Sequence, residues 1–282
     1  MSDSYTFANH GFSQFGFWYV FFLGIMVGSF LNVVIYRLPK ALFGDDSTTE
    51  DQTSRSVFSC LIHPGSITPC CHQKIAWFDN IPLFSWLRLK GKCRFCAAPI
   101  SPRYFVVELV TGMSFAWAYF HFGQTWTTLF YCLLLAILIS LFWIDLETFY
   151  LPDYLTYSAL WLGLLGSALG IIHINPINSI LGACGGYLLP WSVNYLYWLW
   201  RKRDGFGGGD FKLLAVFGAW LGFSAIMPIL AIASLLGLVS TGLLMLIRKE
   251  KLSLERMLPF GPFLIMAGSY LMMYGTPTWF FH

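Results

Sequence analysis

Charged residues are scarce in this chain. Only 11% of its 282 residues are Asp, Glu, Lys or Arg, whereas 57% are hydrophobic. Soluble domains carry about 25% charged residues, so this composition excludes a chain whose whole surface faces water. Three long runs, Phe17–Tyr36, Trp126–Trp143 and Tyr154–Asn175, contain no formally charged residue. Runs of roughly 20 apolar residues are typical of transmembrane helices.

Lys and Arg are absent from the N-terminal tail, from 122–126 and 173–179 and from the C-terminal tail. All 17 Lys and Arg residues lie in 37–103, in 201–203, at position 212 and in 248–256. Because Lys and Arg are retained on the cytoplasmic side of a membrane, we expect these four segments inside the cell and both termini outside. The net charge of +3 therefore reflects topology and does not indicate a nucleic-acid partner.

The hydropathy pattern predicts an all-α polytopic membrane protein with about eight transmembrane helices. Seven or nine spans are the alternatives, because only a short break around Pro228 separates the sixth from the seventh. The chain divides into a tail with the first helix (1–36), a small cysteine-containing cytoplasmic insert (37–103) and a transmembrane core (104–282). The expected spans are 17–36, 104–122, 125–144, 154–174, 179–200, 210–226, 228–247 and 258–275.

The insert holds five of the seven cysteines, at positions 60, 70, 71, 93 and 96. Cytoplasmic thiols are kept reduced, so a disulfide framework is not expected there. Cys93 and Cys96 form a C-x-x-C pair, the spacing that lets two thiolates bind one tetrahedral zinc ion. Together with Cys70 and Cys71, which lie upstream at a workable zinc-ribbon distance, they predict a structural zinc site.

The upstream half of this site departs from the usual pattern. Thr68 stands where a second C-x-x-C pair would place a thiolate, and adjacent cysteines bind one metal ion only with strain. Cys60 and His72 are therefore alternatives to Cys70 as the fourth ligand. The competing interpretation is a small packed subdomain with thiols that bind no metal.

Two acidic residues mark candidate functional positions at the ends of predicted spans. Asp145 ends the third span, and Asp210 opens the sixth after three consecutive glycines, Gly207–Gly209. The predicted topology places both at the cytoplasmic edge of the membrane, where carboxylates usually have a function. Two carboxylates in contact share one proton, so one activates water while the other donates a proton. This is the chemistry of an aspartic peptidase.

Each acidic residue also has a structural interpretation. Asp210 is a plausible helix cap after a glycine turn, and Asp145 an interfacial charge. Asp153, next to Pro152, resembles a cap or turn residue, and Glu108 could pair with a basic residue or support the site. The glycines permit a close approach of a substrate backbone and unusual backbone angles.

Six sequence blocks occur in a fixed order along almost the whole chain: Gly24–Pro39, Asn80–Leu87, Pro99–Glu108, Leu151–Asp153, Gly207–Lys212 and Pro259–Phe263. Together they resemble the bacterial type IV prepilin peptidase family, whose members are G-x-G-D intramembrane aspartic peptidases. The resemblance places the family's catalytic aspartates at Asp145 and Asp210.

This resemblance implies a bifunctional enzyme in the bacterial inner membrane. It would cleave the basic leader of prepilins and pseudopilins after Gly and before Phe, at the cytoplasmic membrane face. It would then methylate the new N-terminus with S-adenosylmethionine. The family's first C-x-x-C pair is replaced here by Thr68-Pro69-Cys70-Cys71, so a peptidase without methyltransfer is the alternative.

Two other classes of function are weighed against this one. An ion-coupled transporter would use Asp145, Asp210 and Glu108 as a proton or cation relay, but it predicts carboxylates spread through the bilayer. A non-catalytic scaffold with a zinc knuckle would tolerate Asp→Asn at both aspartates. Within the peptidase interpretation, Lys212 is expected to orient Asp210 or bind lipid phosphate, and Glu147 and Asp153 to sense the charge of the leader.

Overall fold

The protein is α-helical, as predicted. The structure, a computed structural model, describes residues 13–43, 86, 88–202, 207–248 and 259–275. Within these ranges eight helices have at least 14 residues, and the only β-structure is an isolated bridge between Lys92 and Pro99. The helices are α1 (Gln14–Phe43), α2 (Arg103–Phe122), α3 (Trp126–Thr148), α4 (Asp153–Ala168), α5 (Pro176–Arg201), α6 (Gly208–Leu221), α7 (Ile226–Arg248) and α8 (Gly261–Tyr274).

Each helix coincides with a predicted span, but not all are long enough to cross a membrane. Four segments are sufficiently long and apolar: α1, α2, α3 and Phe223–Leu246, which joins a short 3-10 turn to α7. By contrast, α6 and α8 have 14 residues each. A helix of that length extends about 21 Å, less than the roughly 30 Å hydrocarbon core of a bilayer. The count of eight spans therefore stays a prediction.

The chain separates into two compact units, 1–140 and 141–282. In the first unit, α1 packs closely against α2 because glycines line the contact. A methyl group at Gly24 would lie 2.9 Å from the Gly112 Cα, and one at Gly28 would lie 2.7 Å from the Glu108 Cα. Small residues four positions apart let helix backbones approach, which explains the glycine spacing in the first sequence block.

The second unit is organised around α6, whose residues Phe211 and Leu213–Trp220 are all buried. Its Gly218 lies in backbone contact with Gly182 of α5. The Trp220 indole N–H donates to the Ala159 carbonyl of α4, at 3.0 Å, across a contact with Gly163. An α-helix covered on all sides must carry apolar residues all round, and the α6 sequence does so beyond its first turn.

A sharp turn joins α3 to α4 in the second unit. Phe149 adopts a φ of 56° and its N–H donates to the Asp145 carbonyl at 2.9 Å, which ends α3. Positive φ is uncommon for a bulky residue. Pro152 then precedes α4 in an extended conformation, with φ −60° and ψ 127°. The turn returns the chain beside the end of α3 within a few residues.

Candidate functional site

Asp145 lies in the last turn of α3 and is only 5% exposed. Its carboxylate faces the backbone N–H of Gly261, the first residue of α8. A methyl group at Gly261 would lie 2.5 Å from Asp145 Oδ2, so a larger residue there would displace the carboxylate. Oδ2 is buried, and none of the described residues makes a hydrogen bond of ordinary geometry to it.

The first turn of α8 has one backbone donor directed at Asp145. Pro262 has no N–H, and the N–H of Phe263 donates within the helix to the Phe260 carbonyl at 3.1 Å. The Gly261 N–H is thus left for the carboxylate. The N-terminus of a helix carries a partial positive charge, and unpaired N–H groups there attract anions. The start of α8 therefore provides a favourable electrostatic environment for Asp145.

Asp210 is the third residue of α6 and is half-buried. Its Oδ2 lies 3.3 Å from the position that a methyl group at Gly207 would take, so the side chain folds back toward the start of its own helix. The charge of Asp145 acts on Asp210. The structure therefore brings the two predicted catalytic carboxylates together, each beside the N-terminal turn of a helix.

Leu151 packs between the first turns of α6 and α8, which lie beside the two carboxylates. Its Cβ lies 3.0 Å from the position of a methyl group at Gly209, and its Cδ1 lies 3.4 Å from that of one at Gly261. The side chain is 5% exposed. Leu151 therefore contacts the glycine before Asp210 and the glycine that faces Asp145, and it provides an apolar wall for the site.

This arrangement suits acid–base chemistry on a water molecule. A general base needs a carboxylate oxygen that is free to accept a proton, and Asp145 Oδ2 has no competing donor of ordinary geometry in the described part of the chain. The half-exposed Asp210 and the exposed Gly208 leave the site accessible. Two interacting carboxylates share a proton, so the pair holds both a base and an acid.

The Lys212 side chain contacts Asp153 and not Asp210. Its ammonium pairs with Asp153, with Nζ 2.5 Å from Oδ1, and lies 5.5 Å from the centre of the Tyr157 ring. Asp153 is the first residue of α4, where its carboxylate binds Lys212 and makes no side-chain cap. The interpretation of Asp153 as a cap is therefore wrong, whereas a role of Lys212 in orienting Asp210 or in binding lipid phosphate stays a prediction.

The other acidic candidates have different positions. Glu147 lies in the exposed last turn of α3. Glu108 is 8% exposed and belongs to the first unit, where its backbone packs against Gly28. Asp145 and Asp210 both belong to the second unit. A role for Glu108 in the site stays a prediction.

The predicted zinc site is described only in part. Cys93 is buried, Cys96 is exposed, and the backbone turns sharply around them: the Ala97 N–H donates to the Cys93 carbonyl at 3.0 Å, and Ala97 has a φ of 56°. This tight turn fits a metal knuckle. The described residues contain no cluster of three metal-binding side chains, and Cys60, Cys70, Cys71 and His72 lie outside them. The zinc ligands therefore stay a prediction.

Sequence reasoning missed the positions of Gly261 and Leu151. Both stand in blocks that the sequence marks, Pro259–Phe263 and Leu151–Asp153. Their contacts join residues more than 50 positions apart, and no local periodicity reports such contacts. The signal that was present is a proline beside each residue, which marks the start of a helix.

Family models match most of the chain. Residues 22–122 match the bacterial peptidase A24 N-terminal domain, and residues 132–242 match the type IV leader peptidase family. The first match covers α2 and most of α1, and the second covers both candidate aspartates.

Curated relatives match over nearly their whole length. The prepilin leader peptidase/N-methyltransferase of Aeromonas hydrophila is 39% identical over 277 residues, which cover 94% of this chain and 93% of the relative. The protein of the same name from Dichelobacter nodosus is 41% identical over 272 residues, covering 91% and 92%. The one from Neisseria gonorrhoeae is 40% identical over 267 residues, covering 91% and 90%. No solved structure matches the chain.

Proposed function

Because the chain belongs to the type IV leader peptidase family, we propose that it cleaves the leader from type IV prepilins with Asp145 and Asp210 as its catalytic pair. The observation that carries the assignment is that the two carboxylates lie in one unit, close enough for their charges to interact, with Leu151 in contact with a glycine beside each of them. Asp145 is buried against the N-terminus of α8, and its charge acts on Asp210. The relatives' printed name supports the choice of substrate.

The proposed reaction needs one proton shared by the pair. One carboxylate takes a proton from water as the water oxygen attacks the scissile carbonyl carbon. The other carboxyl gives its proton to the amide nitrogen, and the C–N bond breaks. The products are a leader with a new carboxyl end and a pilin with a free α-amino group. The pair ends with one shared proton, as it began.

The same proposal includes N-methylation of the new terminus, because the relatives carry that activity in their name. S-adenosylmethionine would supply the methyl group. The described parts of the insert, 37–43, 86 and 88–103, contain no glycine-rich loop of the kind that cradles a nucleotide. We therefore assign no residue to the methyl donor. A zinc ion at Cys70, Cys71, Cys93 and Cys96 would stabilise the fold of the insert.

The location of the protein is inferred from its apolar helices, its family and its basic residues. Four apolar helices and the family support a membrane protein. We place it in the bacterial inner membrane with both termini outside and 37–103 in the cytoplasm, because all 17 basic residues lie at positions that the predicted topology puts on one side of the membrane. The site then faces the cytoplasm, where pseudopilins as well as prepilins would reach it.

The decisive experiment is cleavage of a prepilin in membranes that contain the full chain. The wild type should shorten the substrate by its leader, and Asp145→Asn and Asp210→Asn should each leave it intact. Mass spectrometry of the product then reports the cleaved bond and any added methyl group. Cleavage by both variants would refute the paired-aspartate assignment. An intact substrate with wild-type protein would favour the transporter or scaffold instead.

A further inference from the structure

The three residues Leu151, Pro152 and Asp153, here called the connector, contact the surroundings of both candidate aspartates. Leu151 packs against Gly209 and Gly261. Asp153 binds Lys212, two residues beyond Asp210. Pro152 between them is buried and its ring restricts φ. The connector therefore joins the first turns of α4, α6 and α8 through one short rigid segment.

The Lys212 side chain connects α6 to α4 and points away from the Asp210 side chain. Residues two positions apart on a helix point in nearly opposite directions. Accordingly, the Lys212 ammonium lies against the first turn of α4, beside Asp153 and the Tyr157 ring. This contact holds the axial position and the rotation of the first turn of α6 relative to α4.

The first turn of α6 is anchored on one face by Phe211, which is buried and whose ring lies 6.3 Å from that of Tyr187 in α5. The turn starts with Gly208 and Gly209, and a methyl group at Gly208 would have no neighbour within 4 Å. Toward α4, the contacts of this turn are Leu151 against Gly209 and Asp153 against Lys212. Both come from the connector, which also contacts Gly261 beside Asp145.

We propose that the Asp153–Lys212 ion pair is a positioning element that sets Asp210 against Asp145 through the connector. The proposal rests on the proposed peptidase function and adds two residues that act through the connector and not on the reacting atoms. The pair is partly exposed, at 47% for Asp153 and 24% for Lys212. Ion pairs of that kind contribute little to stability. Its effect should therefore appear in turnover and not in unfolding.

The test compares Asp153→Asn and Lys212→Met with wild type in prepilin cleavage by purified full-length protein. Each variant should lower kcat by about tenfold or more, since displacement of a catalytic group by 1 Å can cost about 100-fold. KM and the melting temperature should stay at wild-type values. Asp153→Glu should retain turnover, because it keeps the charge. Arg201→Gln, which removes an exposed charge at the end of α5, is the matched control and should cleave normally.

The charge-reversed double variant Asp153→Lys with Lys212→Asp decides whether the two residues act as a pair. Recovery of turnover above both single variants supports the proposal. Wild-type kcat in the neutral variants would overturn it, and so would a melting temperature that falls in parallel with kcat. A double variant that melts like wild type but stays inactive would also overturn it.

A second measurement is independent of catalysis. Amide hydrogen exchange in 207–214 should be faster in both neutral variants than in wild type, whereas exchange in α5 should not change. Unchanged exchange in 207–214 would overturn the proposal even if the wild type cleaved no prepilin. If the wild type cleaves no prepilin, the proposed function fails. The exchange rates still show whether the ion pair holds the first turn of α6.

Discussion

The turns that carry Asp145 and Asp210 differ in how they are held. The end of α3 is enclosed: Asp145 is 5% exposed, and the first N–H of α8 faces it. The start of α6 is open, with exposed Gly207 and Gly208 and a half-buried Asp210. Asp145 is thus held by direct packing around its side chain. Asp210 is held indirectly, by contacts between the connector and the first turn of α6. An enclosed turn can fix a catalytic group, while an open turn admits substrate.

The strongest test of the two positions is to replace each carboxylate in turn. Asp145→Asn and Asp210→Asn should each reduce prepilin cleavage by about 10³-fold or more, because general acid–base catalysis contributes 10²–10⁴-fold for each group. The double variant should be no worse than either single one, since the pair acts as a unit. Product formation over long incubations checks this. Additive losses would show two independent roles.

Gly261→Ala tests the enclosed side. The added methyl group would lie 2.5 Å from Asp145 Oδ2, so the carboxylate must move. A displacement of this kind should lower kcat by roughly 100-fold, while Gly237→Ala in α7, where the nearest atom is 3.7 Å away, should cleave normally. Steady-state kinetics of both variants provides the measurement. Equal activity of the two would show that Asp145 is not confined by α8.

Gly208→Ala tests the open side with the same chemical change. No atom lies within 4 Å of the added methyl group, and alanine favours the helix more than glycine does, so folding should be unaffected. If the substrate backbone passes close to this turn, KM should rise several-fold with little change in kcat. The contrast with Gly261→Ala separates a substrate-contact effect from a displaced catalytic group. An unchanged KM would show that the glycines serve only the fold.

Cys93→Ser should have the smallest effect on cleavage. We expect wild-type protein to contain one zinc ion per chain and the variant to lose it, because Cys93 is a predicted ligand in a tight turn. Cleavage should continue at the wild-type rate, since both aspartates belong to the other unit. Metal analysis beside a cleavage assay checks both statements. Wild-type protein without metal would favour the thiols as packed, unmetallated groups.

The helices could be predicted from the sequence because their signals are local. Apolar runs predicted all eight, with ends that differ from the observed ones by at most seven residues, as with α1 at Gln14–Phe43 for the expected 17–36. The number of helices that cross a membrane does not follow from the apolar runs in the same way. Helices α6 and α8 have 14 residues each, fewer than the roughly 20 that a transmembrane helix needs.

The candidate site could be predicted as a pair of residues but not as a geometry. Asp145 and Asp210 stand out because a carboxylate at the end of an apolar run is costly. The partner of Lys212 could not be predicted, because the sequence shows only that Lys212 lies two residues after Asp210. Its observed partner, Asp153, lies 59 positions away. Glu108 illustrates the same limit, since its burial against Gly28 is a contact between α1 and α2.

Composition and motif spacing were thus enough to predict the membrane class, the helical fold and the two candidate carboxylates. Those features depend on hydrophobicity and on local backbone preferences, which the order of residues encodes directly. Helix packing established the rest: the Gly261 N–H at Asp145, Leu151 between two glycines, and Asp153 on Lys212. These contacts join separate helices, and their geometry exists only once close-packed glycines have brought the backbones together.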